Sequence, residues 1–197
     1  MLSHSGFQYY LIVLDDYSHY VWMFLLRHKS YVLPTLVSFH AFIQTQFGRP
    51  ILAFQTDNGC EFDNKAFRSF LAARGIVSRL TCPYTSQQNG HAERILRTLN
   101  DSMRTMLLHA AMPLSFWPDA LQTTSYLLNR RPCTPCSHAT PSLLLFIHAS
   151  EYEHLREFGC LCFPNTSLLH ARCPASSSAT PTTPRDTAAT TQRRAAL

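Results

Sequence analysis

The sequence predicts an α/β domain with a mixed β-sheet, and three observations lead to that class. Short apolar runs alternate with longer segments of helical periodicity, in the order ββαβαβα. The first two runs are joined by the turn-forming segment Asp15-Asp16-Tyr17-Ser18, which predicts an antiparallel hairpin. The 46% content of hydrophobic residues is enough for a core, and 197 residues allow one domain of ordinary size with appendages.

Each element follows from a local pattern of apolar residues and breakers. Strands are predicted at residues 9–14, 19–26, 51–56 and 76–80, where apolar or aromatic residues are bounded by turn signals. Helices are predicted at residues 30–47 and 64–73, which end at Gly48 and Gly75. A polar loop at residues 81–90 leads into a long helix, with Gly90 marking its start. One or two helices at residues 113–131 and a short helix at residues 142–147 follow.

Composition limits the setting of the protein more than its function. The net charge is +5 and the sequence pI is about 8.9, which suits a polyanionic partner without proving one. The start of the chain lacks the pattern of a signal peptide, and no run reaches the roughly 18 apolar residues of a membrane span. We therefore expect an intracellular protein, nuclear or cytoplasmic, with reduced cysteines and no membrane partner.

Two carboxylates are the candidate chemical groups. Asp57 follows an apolar run and precedes the turn signal Asn58-Gly59, and 35 residues separate it from Glu93 in the long helix. Carboxylates from two elements suggest a site for a divalent metal such as Mg²⁺. The alternative stays open at this point, because Asp before Asn-Gly is ordinary turn chemistry and Glu near a helix start favours the helix dipole. A zinc site at Cys133-Thr-Pro-Cys136 lacks a second ligand pair.

Longer motifs carry a resemblance to a known family. They are T-D-N-G-C-E-F at residues 56–62, P-Y-T-S-Q-Q-N-G-H-A-E-R at 83–94, L-D-D-Y-S-H-Y-V-W at 14–22, P-L-S-F-W-P-D-A-L at 113–121, Y-L-L-N-R-R-P at 126–132 and L-R-E-F-G-C at 155–160. Their order and spacing over residues 3–167 resemble the catalytic core of copia-type retrotransposon integrases, within the retroviral integrase family.

That resemblance implies a ribonuclease H-like fold with its first strand missing, followed by extra helices. It implies a role in DNA integration by metal-dependent strand transfer, with Asp57 and Glu93 as catalytic residues and metal ligands. The implied cofactor is Mg²⁺ or Mn²⁺, and the implied partners are DNA and further copies of the chain. Asn58, Glu61 and His91 are expected around the acids rather than on the metal.

The third acid of the family site has no match in this sequence. The family carries it on a strand upstream of the segment that resembles residues 3–6, and this chain starts at Met1. Asp15 and Asp16 are expected to stabilise the hairpin turn, at the end of a strand that lies away from the site. We therefore expect residues 1–197 alone not to catalyse integration. The alternative function is a non-catalytic nucleic-acid-binding module.

Polar and basic residues near the acids are candidates for contacts with DNA. Hydrogen bonding or stacking is predicted for four side chains of the polar loop, close backbone approach for its glycine, and phosphate binding for arginines of the helix that follows. These residues are Tyr84, Gln87, Gln88, Asn89, Gly90, Arg94 and Arg97, with Arg104 on the same helix face as Arg97. A solvated loop and a solvated helix face are the alternatives.

Three regions follow from these patterns. Residues 1–112 are the N-terminally truncated catalytic core, and residues 113–167 are a helical extension of the copia type. Residues 168–197 are dominated by Ala, Thr, Ser, Pro and Arg, which predicts a disordered tail.

Overall fold

The computed structural model describes residues 2–56, 59, 62, 64–80, 86–160 and 194–196. The strands are β1 (Tyr9–Asp15), β2 (Val21–Leu26), β3 (Ala53–Thr56), β4 (Val77–Leu80) and β5 (Arg194–Ala196). The helices are α1 (Val32–Phe47), α2 (Lys65–Ala72), α3 (Ser86–His109), α4 (Trp117–Arg130) and α5 (Pro141–Phe146). Short 3-10 turns lie at Lys29–Tyr31, Leu114–Phe116 and Thr134–Cys136.

The sheet is mixed, as predicted, with the strand order β2-β1-β5-β3-β4. β1 and β2 form an antiparallel hairpin, in register from Tyr9 opposite Leu26 to Leu14 opposite Val21. β3 and β4 are parallel, because α2 returns the chain to the same end of the sheet. β5 is antiparallel to β1 and parallel to β3. The centre of the sheet is therefore a segment from the far end of the chain.

Two hydrophobic cores cover the sheet, and β1 contributes to both. Leu11 and Val13 belong to the core that contains residues of α1 and α2, whereas Ile12 and Leu14 belong to the core that contains residues of α3 and α4. This alternation follows from the two-residue period of a strand. It explains why β1 is apolar at four successive positions instead of alternating with polar residues.

Local signals set the ends of the first two helices. α1 ends where Gly48 adopts a left-handed conformation, with φ of 61°, and its N–H donates to the carbonyl of Gln44 at 3.0 Å. α2 begins after Asn64, whose side-chain oxygen accepts a hydrogen bond from the N–H of Phe67 at 2.8 Å. Both boundaries lie within two residues of the predicted ones.

The predicted loop at residues 81–90 is wrong over its second half, because α3 begins at Ser86. Gly90 lies inside this helix, and an added Cβ there would have no atom within 4 Å among the described residues. A single glycine costs a helix only about 1 kcal/mol, so the packing of the following turns outweighs it.

The tail also differs from its prediction at three residues. Arg194–Ala196 are a strand, since their backbone groups pair with β1 and β3. Residues 161–193 and 197 lie outside the described residues, so the disorder predicted for them stays a prediction. No helix among the described residues is long and apolar enough to cross a membrane.

Candidate metal and nucleic-acid site

The helix α3 presents Glu93 on an exposed position of its N-terminal half. Ala92, the preceding residue, is buried, and so is Leu99 two turns further on. The buried side of α3 packs against β1 and α4 through an apolar stripe that includes Ile95, Leu99 and Met103, as the periodicity predicts. Fixing one side of the helix in this way leaves the carboxylate of Glu93 open to solvent.

One acid of the β1–β2 turn, Asp15, has a structural role, which confirms its prediction. Its buried carboxylate accepts hydrogen bonds from the backbone N–H of Ser18 at 2.9 Å and from the Ser18 hydroxyl at 2.6 Å. The N–H of Asp15 donates across the turn to the carbonyl of Tyr20 at 3.0 Å. Asp16, the next residue, is exposed. Asp15 therefore stabilises the hairpin by bonding its own turn.

The expectation that this turn lies away from the site is wrong in one respect. His19 in the turn contacts His91 in α3, with the ring centroids 4.5 Å apart and the rings nearly perpendicular at 83°. His91 is two residues from Glu93. The two contacts show that α3 runs alongside β1 in the opposite direction: His91 lies at the turn that follows β1, and Tyr10 near the start of β1 donates to Asn100 at 3.0 Å.

Burial lowers the pKa of His91, and the charges of His19 and Arg94 lower it further, whereas Asp16 acts in the opposite direction. His19 has a left-handed backbone, with φ of 56°, and its Nδ1 is buried with no hydrogen-bond partner among the described residues. Sequence reasoning missed His19. A histidine after Asp-Asp-Tyr-Ser carries no local signal that it will meet a helix more than 70 positions later.

Several predicted site residues lie outside the described residues. These are Asp57, Asn58, Glu61 and Tyr84. Gln87, Gln88, Asn89 and Gly90 belong to α3, so the prediction that they form a loop is wrong. Of the two predicted metal ligands, Glu93 alone lies among the described residues, and no group of three or more metal-binding side chains occurs among them.

Basic residues of α3 are exposed, as the phosphate-binding prediction requires. Arg94, Arg97 and Arg104 are all solvent-accessible. Arg97 and Arg104 share a helix face because seven residues are close to two turns. Glu93 and Asp101, which are also exposed, offset part of this charge. The described part of the helix therefore carries a modest basic excess next to one candidate ligand.

A buried asparagine fixes the hairpin to the helical layer behind it. Asn129 of α4 is 3% exposed; its Oδ1 accepts from the N–H of Val21 at 2.8 Å, and its Nδ2 donates to the carbonyl of Val21 at 2.8 Å. Its side chain thus pairs with the first residue of β2 as a neighbouring strand would. This bond is the second contact that sequence reasoning missed.

The helical extension closes back on α4. Tyr126 contacts His154, and Tyr152 donates to the carbonyl of Arg130 at 2.7 Å. Gly159, with φ of 80°, lies so close to the end of α3 that an added Cβ would be 2.6 Å from the Cβ of Ala110. The glycine of the F-G-C motif is therefore required by close packing as well as by its backbone conformation.

Cys133 and Cys136 do not form a metal site with other described residues. The Cys136 thiol is buried and donates to the carbonyl of Ser18 at 3.5 Å. Burial, followed by the neighbouring Cys133, raises the pKa of Cys136 to about 12.

Comparison with known proteins relates this chain to one family. Residues 2–86 match the Integrase core domain family. The Retrovirus-related Pol polyprotein from transposon TNT 1-94 of Nicotiana tabacum is 36% identical over 161 residues, or 82% of this chain. The chain spans 12% of the length of that polyprotein.

Solved structures extend the comparison to the fold. The simian T-cell lymphotropic virus intasome, solved in complex with PP2A regulatory subunit B56 gamma, matches 92% of this chain and 53% of the matched chain, with a TM-score of 0.56 at 18% identity. The HTLV-2 integrase catalytic core domain in complex with magnesium, in a trimeric form, matches 67% of this chain and 82% of its own, with a TM-score of 0.49 at 23% identity. The mixed sheet with helices on both faces is the ribonuclease H-like fold of integrase cores.

Proposed function

This chain belongs to the integrase core family of retrotransposon Pol polyproteins, and we propose that it acts in DNA integration through a metal site built on Asp57 and Glu93. The observation that carries the proposal is the placement of Glu93. It is an exposed carboxylate on a helix whose other side is anchored in the core. The proposal includes an intracellular setting and assembly with further copies of the chain.

The donor set fits a hard divalent cation. Carboxylate oxygens are the ligands that Mg²⁺ and Mn²⁺ prefer, and Glu93 is accessible to such an ion. Asp57 follows Thr56, the last residue of β3, in the chain. When bound, the ion would stabilise the charge that develops during phosphodiester transfer.

The residues of the chain have separate tasks in this proposal. Glu93 would bind the metal ion from a helix that the buried residues Ala92 and Leu99 anchor to the core. Arg94 and Arg97 bind DNA phosphates, to which a guanidinium donates two parallel hydrogen bonds. Positioning and electrostatics of this kind account for most of the catalysis of phosphoryl transfer.

We also propose that residues 1–197 alone do not catalyse strand transfer. The family chemistry needs a third acid, and the acid at the end of β1 is already in use. Both side-chain hydrogen bonds of Asp15 go to Ser18. Asp16 is exposed in the turn and acts electrostatically on His91 instead. A site with two of three carboxylates should bind metal weakly and position it poorly.

Metal binding and catalysis can be tested separately. We expect Mn²⁺ to bind the purified chain weakly, as measured by water-proton relaxation, and Glu93→Gln or Asp57→Asn to lower its affinity at least about tenfold. Asp101→Asn, which removes an exposed carboxylate of the same helix, is the matched control. Equal Mn²⁺ affinity in all four proteins would exclude the proposed ligands. Strand transfer by the chain that Asp57→Asn abolishes would contradict the proposed inactivity while supporting the site.

A second candidate function, a non-catalytic nucleic-acid-binding module, is favoured by the exposed arginines of α3. It predicts DNA binding that survives EDTA and Asp57→Asn. Arg97→Gln should weaken binding uniformly across sequences and reduce the salt slope by about 1. Arg74→Gln is the control, because Arg74 is an exposed arginine outside α3, with its guanidinium carbon 4.4 Å from the centroid of the Phe70 ring. Loss of DNA binding on metal removal would favour the metal-dependent function.

A further inference from the structure

A pair of cysteines lies beside the β1–β2 turn and outside the proposed metal site. Cys133 and Cys136 are separated by Thr134-Pro135, and both are free thiols in this structure. Cys136 is buried, whereas Cys133 is partly exposed. Two cysteines with two residues between them are the arrangement in which proteins exchange a dithiol for a disulfide. One thiol of this pair can be reached by a small molecule, and the other lies behind it.

The backbone between the two cysteines is already folded for a disulfide. The N–H of Cys136 donates to the carbonyl of Cys133 at 3.1 Å, which closes a tight turn and holds the two Cα atoms below about 7 Å, within the span of a disulfide. The N–H of His138 donates to the same carbonyl at 3.0 Å, and the N–H of Cys133 donates to the carbonyl of Ala139 at 3.2 Å. The side chain of Cys133 lies within hydrogen-bonding distance of the Cys136 thiol. Oxidation can therefore proceed by rotation of side chains.

The Cys136 thiol also connects this pair to the β1–β2 turn. It donates to the carbonyl of Ser18 at 3.5 Å, and Ser18 is 0% exposed. Among the described residues, no other group donates to that carbonyl. The next residue, His19, donates its N–H to the carbonyl of Asp15 at 2.9 Å and contacts the ring of His91 in α3. A single S–H group thus links the cysteine pair to the turn that contacts α3.

We propose that Cys133 and Cys136 form a reversible redox site, in which a disulfide between them removes the hydrogen bond to the Ser18 carbonyl and loosens the β1–β2 turn. The oxidant is a small-molecule disulfide of the glutathione class. This redox site is separate from the proposed metal site, and its tests need neither metal nor DNA.

The exchange has two steps and consumes one molecule of the oxidant. The thiolate of Cys133 bonds to one sulfur of the oxidant, and the other sulfur leaves as a thiolate that takes up a proton. The Cys136 sulfur then attacks the Cys133 sulfur and expels the second small thiol, which takes up the Cys136 proton. Two protein thiols are oxidised and one small disulfide is reduced. Burial, followed by the neighbouring Cys133, raises the pKa of Cys136 to about 12, so this thiol keeps its proton and its hydrogen bond in the reduced protein.

Mass spectrometry of the full chain tests the disulfide. After oxidised glutathione, alkylation and trypsin, the peptide of residues 131–156 contains Cys133 and Cys136 as its only cysteines. We expect this peptide to lose the mass of two hydrogen atoms and to escape alkylation, and dithiothreitol to reverse both changes. In Cys136→Ser, Cys133 should retain bound glutathione, because no second thiol displaces it. In Cys133→Ser, the buried Cys136 should react at least about tenfold more slowly than Cys133 does in Cys136→Ser.

Two results would overturn the disulfide. One is complete alkylation of the peptide of residues 131–156 in a treated chain whose exposed Cys160 has reacted with glutathione. The other is an equal rate of reaction in the two single variants, since a pair that is only packed together has no order of attack.

Hydrogen exchange measured by NMR tests the effect on the turn. The amide of His19 should exchange at least about threefold faster in the oxidised chain, because the buried Ser18 carbonyl has lost its donor. Cys133→Ser treated with the same oxidant is the control and should keep the slow exchange. Cys136→Ala, which also lacks the donor, should show the fast exchange without oxidant. Where that variant does not unfold cooperatively, the oxidised and reduced natural chains decide, and equal exchange at His19 in the two would overturn the link to the turn.

Discussion

The β1–β2 hairpin and the centre of the sheet are built in opposite ways. The hairpin is paired over its whole length, closed by Asp15 and Ser18, and held from behind by Asn129. The centre is held by β5, which pairs with two residues of β1 and three of β3. Stability in this sheet is therefore supplied by residues that are close in sequence or carried on packed helices, and the central strand adds least to it.

The largest expected effect on stability is at Leu14, which belongs both to the hairpin and to a hydrophobic core. Leu14 is 1% exposed and packs in the core shared with α3 and α4. Leu14→Ala should lower the free energy of unfolding by about 2–5 kcal/mol, through lost burial and the cavity left behind. Urea unfolding measures the change, with Leu108→Ala as the control because Leu108 is 77% exposed. A loss below about 1 kcal/mol would mean that the hairpin is not the stable half.

The next effect is at the link between α4 and the hairpin. Asn129→Ala removes the side-chain acceptor of the Val21 N–H and the closer donor to the Val21 carbonyl, which keeps the Ser125 hydroxyl at 3.5 Å. The change should cost about 2–4 kcal/mol, because an unsatisfied buried backbone group is expensive. Gln122→Ala, at an exposed position of α4, is the matched control. Urea unfolding measures the free energy of unfolding of both variants. Similar stability in the two variants would show that water replaces the asparagine. Asn129 would then not be a reason why the hairpin is more stable than the centre of the sheet.

A smaller effect is expected in β5. Ala196→Gly should destabilise the protein by only about 0.5–1 kcal/mol, through the extra backbone freedom of glycine in the unfolded chain. Ala188→Gly, outside β5, controls for the glycine itself, and differential scanning calorimetry can resolve the difference. If Ala196→Gly costs as much as Asn129→Ala, the centre of the sheet is not the weak part.

The smallest effect is the pH dependence of the contact between the turn and α3. The pKa of His91 is lowered in the folded protein, so the unfolded chain binds more protons just below its ordinary value of 6.5. Stability from this group is present above pH 6.5 and is lost as the pH falls through the folded pKa. Urea midpoints at pH 7.5 and 5.0 should show the loss, and His91→Gln should reduce it. Part of the pH dependence of stability will remain in His91→Gln, because burial also lowers the pKa of His40. An identical pH dependence in His91→Gln would rule out the contribution.

Most of the fold could be predicted because its signals are local. The period-two and helical patterns located β1, β2, α1, α2 and β4 to within about two residues, and the buried stripe of α3 followed from spacing alone. The start of α3 was wrong because Gly90 was given the weight of a helix boundary, whereas tertiary packing overrides one glycine. β5 could not be predicted, since Arg-Ala-Ala carries no strand signal and its partners are remote in sequence.

For the candidate site too, features set by local sequence could be predicted, and contacts between remote elements could not. Glu93 and the arginines of α3 could be placed on an exposed helix face by periodicity. The pairing of His19 with His91 and the bonds of Asn129 to Val21 depend on how whole elements cross, which a pattern within one element does not encode. The role of Asp15 was predictable, because an Asp at a tight turn bonds its own backbone neighbours.

The position of β5 also has a consequence for the order of folding. Asp15 pairs with Ala195, 180 positions further along the chain (195 − 15), whereas the hairpin joins near neighbours and the bond of Val21 to Asn129 of α4 spans 108 positions. Contacts of such long range form slowly, because the loop between them must first be closed at a cost in entropy. During synthesis β1 and β3 leave the ribosome long before β5 exists. The hairpin and both helical layers can therefore assemble around an open sheet, and closure of the sheet is the last event of folding.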